Sequence, residues 1–188
     1  MIDVLLLRRS WYFEYLRRAY PDLIERSRSE VDGYLTNLLR WDQDPDAYKK
    51  SAALTEQISS SYQRMLQSFV NKELEIAPVY VTPELILMKK SQEIDFINWL
   101  TRTFQAIPRG LVFQLTRDNA FHDPGEPPLQ TRGLTDGTIH FADDDVVKVK
   151  VLPMYRAMFQ SRGEYLAHFN QKERAAAAFE EARRFGAH

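Results

Sequence analysis

Arg8, Arg9 and Ser10 follow directly on an apolar run at residues 4–7. Thr82 and Glu84 close a second such run, and Arg117 and Asp118 close a third. If the three runs are strands of one open α/β sheet, these residues share its carboxyl edge, where ligands of such sheets bind. Guanidinium and hydroxyl groups beside helix starts suit a phosphate or carboxylate. Trp11, Tyr12 and Tyr15 stand close enough in sequence to stack on a sugar ring. The competing reading pairs Arg with Asp at the strand ends and sends the early-helix aromatics to the core. Arg8, Arg9, Ser10, Thr82 and Arg117 are therefore a candidate ligand-binding set with no catalytic residue assigned.

Most reaction chemistry lacks its residues. The four histidines, His122, His140, His168 and His188, form neither HxxxH nor HExxH, so no histidine metal site is expected. Asp143, Asp144 and Asp145 lack the alternating oxygen ligands and the later Glu of a calcium loop, and read as a solvated turn capping the next segment. No glycine follows either of the first two runs, which argues against a phosphate loop, and no GxSxG elbow is present. The chain has no cysteine, which excludes thiol nucleophiles, thiolate metal sites and disulfides. No cofactor or metal is expected. With 25 basic and 26 acidic residues the net charge is −1, and a nucleic-acid partner is not expected.

The positioning elements follow from periodicity. The run at 3–7 is too short and too soon followed by arginines for a secretory signal, and reads as a buried strand. No other segment approaches the ~20 apolar residues that cross a bilayer. Ser10 caps a helix to about Tyr20, and Ser27 with Glu30 forms a capping-box pattern before a second. Asp44 and Pro45 start one long amphipathic helix to about Lys72, with a possible break near residues 59–61. Strands are expected at 79–82 and 110–116, separated by helices beginning at Pro83 and running through Phe104. Residues 117–145 are an irregular excursion with a hairpin about Asp136–Gly137. The run at 146–153 is ambiguous between strand and helix, and is taken as an extended lead-in. Two helices, 154–169 and 172–185, close the chain about a turn at Asn170. The fold expected is α/β: a three-layer body with a small, mainly parallel sheet and long flanking helices, ending in an α-hairpin. Its divisions are a body at 1–117, the excursion at 118–152 and the hairpin at 153–188.

Phe159, Gly163, Leu166, Ala175, Phe179 and Ala182 alternate large and small across the last two helices. In that order they resemble one tetratricopeptide repeat, in which small residues sit where the helices cross. Leu166 stands where an aromatic is more usual, and any closely crossing helix pair would show a similar alternation. DVLLLRRSWYFEYLRRAYPDL, APVYVTPEL and PRGLVFQL resemble the C-terminal part of bacterial membrane proteins similar to protein O-mannosyltransferases. The family's preceding strand and Asp-rich turn have no counterpart here, nor have its membrane helices. The resemblance implies an accessory domain of a glycosyltransferase-like membrane protein, on the extracytoplasmic side, without the sugar-transfer site.

The function expected is therefore non-catalytic. It is an interaction domain that meets a protein partner, the rest of a parent chain, or a second copy in a two-fold dimer. The contact is expected at the edge of the first strand or on the face around Phe159, Phe179 and Phe185, with no membrane insertion by this segment. The alternative is a binding domain for a sugar, phosphate or nucleotide, or a sugar-modifying enzyme, working at the strand ends.

Overall fold

The computed structural model describes residues 1–87, 94–127, 129, 131–135 and 138–185. The chain divides into two compact units, Met1–Pro78 and Val79–His188. The protein is mainly helical with one small antiparallel sheet.

The first unit is all helical among its described elements. The run expected as a strand is instead a 3-10 turn, Leu6–Arg8. The cause is local: the Asp3 carboxylate accepts the Leu5 N–H at 2.8 Å and folds the chain back before it can extend. Leu7 is then fully buried while Leu5 stays 65% exposed. Burying a leucine contributes about 2 kcal/mol, and this turn collects that for Leu7 without sheet pairing. Helices α1 (Tyr12–Ala19), α2 (Pro21–Arg26) and α3 (Arg28–Gln43) follow. Asp44 caps α4 (Pro45–Lys50), accepting the Ala47 N–H at 3.0 Å, as Asp-Pro at a helix start dictates. The long helix is broken at Ser51, whose extended backbone ends α4. Its hydroxyl accepts the Leu54 N–H at the start of α5 (Ala52–Leu74). No break occurs at 59–61, where Ser61 bonds back to the Ile58 carbonyl at 2.9 Å.

Helices α3 and α5 pack side by side. Their interface is apolar at Val31, Tyr34, Leu38, Met65 and Leu66 and carries two polar ties. Asn37 donates to the Ser61 hydroxyl at 3.1 Å. The Ser68 hydroxyl reaches Ser27 at 3.0 Å and Glu30 at 3.3 Å. Ser27 makes no side-chain cap; the expected capping box is spent on this interhelical bond.

In the second unit the strands are β1 (Tyr80–Val81), β2 (Gln105–Arg109) and β3 (Val112–Thr116), in the order β1-β3-β2. Both pairings are antiparallel, with Val81 opposite Phe113 and Ile107 opposite Gln114. The parallel arrangement fails for two reasons. Residues 3–7 supply no strand, and β2 joins β3 through two residues, too few for a parallel crossover. Gly110, at φ +64°, takes the first position of that turn, where glycine is favoured. Helices α6 (Pro83–Leu87) and α7 (Ile94–Thr103) lie between β1 and β2 in sequence. The hairpin about Asp136–Gly137 falls outside the described residues. The ambiguous run becomes a π-helical turn, Val147–Val151, leading without a break into α8 (Leu152–His168).

Helix α9 (Lys172–Arg184) returns along α8 after a turn in which Asn170 adopts φ +60°. The Gln171 N–H bonds to the Leu166 carbonyl at 2.9 Å, a closure that favours Gly or Asn at the left-handed position. Two core clusters fill the hairpin. Ile107 of β2 packs with Tyr165, Leu166, Ala175 and Ala178; Leu152, Phe159, Ala182 and Phe185 form the other. Phe159 and Phe185 are buried and stacked at 5.6 Å, and Phe179 is packed against the first cluster. The face expected to meet a partner is thus consumed by the unit's own core.

Gly163 lies directly beneath the Phe179 ring, where a Cβ would collide with three of its carbons. Ala is the better helix former by about 1 kcal/mol, yet overpacking here costs about 1–3 kcal/mol. Gly163→Ala is therefore expected to lower the midpoint of urea unfolding; a raised midpoint would show that the ring can move aside.

Candidate functional site

The antiparallel sheet disperses the ligand set expected from the sequence. Thr82 lies at the end of β1 beside Val112, and Arg117 follows the opposite end of β3, so the two occupy different ends of the sheet. Arg8, Arg9 and Ser10 belong to the first unit and to no strand. Arg8 places its guanidinium 5.2 Å over the Tyr62 ring, and Arg9 is exposed. The Ser10 hydroxyl donates to Asp42 at 2.9 Å. Burial pushes the Tyr34 hydroxyl well above its ordinary pKa, against the pull of Arg8. Arg8 and Ser10 thus engage groups of the first unit itself.

A different constellation does converge. The segment at 118–126, part of the excursion, is held by side chains from β2, α8 and α9. Its own carboxylates set its shape. Asp118 accepts from the Ala120 N–H at 2.9 Å and from Thr116 at 3.1 Å, and lies 2.6 Å from His122 Nε2. Asp123 accepts the Gly125 N–H at 2.9 Å. Such Asx turns replace backbone pairing in a segment that has none. From α8, the Tyr165 hydroxyl accepts the His122 N–H and donates to the His122 carbonyl, both at 2.9 Å. Phe121 stacks on Tyr165 and lies tilted against Phe169.

Three arginines complete the clamp. Arg109 of β2 donates through Nη1 to the Asp123 carbonyl at 2.6 Å and through Nε to Gln114 at 3.0 Å. Arg174 of α9 grips the Asp123 carboxylate with both terminal nitrogens, at 2.7 and 3.3 Å. Arg162 of α8 is buried and bonds to the Gly125 carbonyl. Glu126 meets Arg162 at 3.6 Å and Arg174 at 4.0 Å.

The electrostatics follow this geometry. The hydrogen bond from Arg174, then that from the Gly125 N–H, hold the Asp123 carboxyl below the usual range. The bond from His122 does the same for Asp118. Desolvation pulls the Arg162 pKa down, and the charges of Arg174 and Arg109 add to the fall. Three guanidiniums face the carboxylates of Asp123 and Glu126, while Asp118 is turned to His122 and Thr116. The arrangement can hold an anion or a chain segment.

Nothing in the spacing of residues 109, 162 and 174 announces this cluster. The available signal was Arg162, a charge on the helix face shared by Phe159, Gly163 and Leu166. Asp143 pairs with Lys148 at 2.6 Å and Asp145 accepts the Val147 N–H at 2.7 Å, making a capping turn. No group of three His, Cys, Asp or Glu suited to a metal occurs among the described residues. No helix among them is long and apolar enough to cross a membrane. Comparison of the chain with protein-family models, with curated proteins and with solved structures gives no match.

Removing the Tyr165 hydroxyl leaves the His122 N–H and carbonyl without their partner, a cost of about 1–3 kcal/mol. Tyr165→Phe is expected to destabilise by that amount and to speed amide exchange at His122; exchange unchanged there would show the segment is held elsewhere. The clamp also has a defined acid limit. Asp118 and Asp123 have folded pKa values below their unfolded ones, so their contribution is complete above the unfolded value of about 3.9 and is lost as pH falls through the folded values. Stability followed from pH 7 downward should lose this contribution only below about pH 4. The double variant Asp118→Asn, Asp123→Asn should show a shallower acid limb.

Proposed function

We propose that the chain is a non-catalytic interaction module whose contact surface is the aromatic patch on α1, and that its first partner is a second copy of itself. The observation that carries this is the exposure of Trp11 and Tyr15, at 62% and 49%. Both rings are ordered by a buried neighbour. Tyr12 stacks on Tyr15 at 5.4 Å and meets Trp11 edge-on at 5.8 Å, while its hydroxyl accepts the Asp3 N–H at 3.2 Å. Rings held this way lose little freedom on binding, and Trp and Tyr are the residues most enriched at the energetic centres of interfaces. Leu5 adds exposed apolar surface in the same unit.

A two-fold pairing is favoured because α1 carries both signs of charge beside the rings. Glu14 and Arg18 pair with each other at 2.8 Å on an exposed face. The same two residues can exchange partners across an isologous contact. The module reading agrees with the resemblance of the chain to the accessory part of glycosyltransferase-like membrane proteins, where such a domain would serve assembly. It also agrees with the arginines of the second unit binding backbone and carboxylates of their own chain.

Light scattering across a concentration series is expected to show the mass rising from 22.0 kDa toward roughly twice that value. The double variant Trp11→Ser, Tyr15→Ser should remain at the monomer mass and still unfold cooperatively, with a Tm that no longer depends on protein concentration. A wild-type monomer at millimolar concentration, or a dimer indifferent to both substitutions, would overturn the proposal.

A further inference from the structure

Glu126 occupies an unusual position in the arginine clamp. Its carboxylate is 86% exposed, yet one oxygen, Oε1, lies between Nη2 of Arg162 and Nη2 of Arg174, at 3.6 and 4.0 Å. Both distances exceed hydrogen-bonding range. The place between two guanidiniums is therefore held by an oxygen that bonds to neither. Exposed pairs of this kind contribute little, and a flexible glutamate gives up rotamer freedom to stay there. A second observation concerns the other terminal nitrogen of the Arg162 guanidinium. The Arg162 side chain is only 7% exposed, and its Nη1 has no hydrogen-bond acceptor among the described residues. The space beside it, lined by Pro108, Gly110, Leu129 and Met158, measures about 10 Å³, room for one water. This buried cation is short of acceptors, and Arg109 and Arg174 set two further guanidiniums near it. Arg174 lies in the first turn of α9, at the positive end of that helix.

We propose that the gap between Arg162 and Arg174 is a binding site for a tetrahedral oxyanion, a phosphate or the phosphate group of a monoester, and that the Glu126 carboxylate is its resident stand-in. A phosphate brings several strong acceptor oxygens, so it can bond to both guanidiniums where Oε1 bonds to neither. Its entry displaces Glu126 into solvent, where that side chain already is for most of its surface. Asp123 keeps its contact to Nη1 of Arg174 at 3.3 Å, and Tyr165 and Arg109 still hold the segment at 118–126, so it need not lift. The proposal is independent of the aromatic patch and of any pairing between copies.

The test is a titration of the full chain with inorganic phosphate, followed by thermal unfolding and by amide chemical shifts of residues 123–126. Sodium chloride at matched ionic strength is the control for screening. Phosphate is expected to raise the Tm and shift those amides in a saturable way, while chloride does neither. Glu126→Gln removes the competing charge and should tighten the phosphate dissociation constant about three- to tenfold. Arg174→Met should abolish the response. Phosphoserine, run as a second ligand, should match phosphate in both variants if the group itself is what binds. A wild type indifferent to phosphate would overturn the assignment. So would a response reproduced by chloride, or an affinity unmoved by Glu126→Gln. Glu126 is exposed, so its variant folds and the test stands even if Arg174→Met proves unstable.

Discussion

Phe179 lies across Gly163 with no room between them for a methyl group, and that single approach sets how near α8 and α9 can come. The alanines at 175, 178 and 182 are buried along the same seam, and α8 in turn packs on β2. Everything that gathers around residues 118–126 depends on this spacing. Arg162 and Tyr165 project from α8, Arg174 from α9 and Arg109 from β2. A wider hairpin would carry Arg174 away from Asp123 and leave Arg162 as an uncompensated buried charge, a cost of several kcal/mol in general. The apolar close contact thus comes first, and the charged clamp is a consequence of it.

The two units solve the problem of specifying their packing in different ways. In the first, α3 and α5 are matched by short polar groups inside the interface. The Asn37–Ser61 bond is joined by the Tyr48 hydroxyl, which donates to the Asn37 carbonyl at 3.2 Å. Polar ties within a buried seam are satisfied in one register and broken in its neighbours, so they select among otherwise similar apolar packings. In the second unit the seam is lined by apolar side chains and the polar selection is moved to its margin. There a segment without regular secondary structure is held through its backbone carbonyls and Asx turns.

Signals confined to a few neighbouring residues were legible in the sequence. Asp44 with Pro45, Pro83 after Thr82, and Asn170 each carry their own backbone preference, and the helix boundaries follow them. The run at 4–7 was misread because four apolar residues have no period of their own. What decided its shape was the carboxylate of Asp3, one residue outside the run. β2 was invisible for a related reason: QAIPR is mixed in polarity and contains Pro108, and it is a strand only because β3 lies two residues away to pair with it. The parallel sheet failed with these two errors, and the shared strand edge failed with it. Arg109, Arg162 and Arg174 become neighbours through tertiary packing, which no spacing rule contains.

The shortness of the connections at Gly110 and Asn170 has a kinetic meaning. Each joins elements that touch along their whole length, so β2–β3 and α8–α9 can each close with little loss of chain entropy, on the microsecond scale of hairpins and helices. The clamp spans 37 residues between Gly125 and Arg162 and 51 between Asp123 and Arg174. Its closure must wait until both hairpins exist to bear the arginines. The clamp is thus the long-range closure of the second unit, the one with the largest loop-closure cost, and the two hairpins are the local ones.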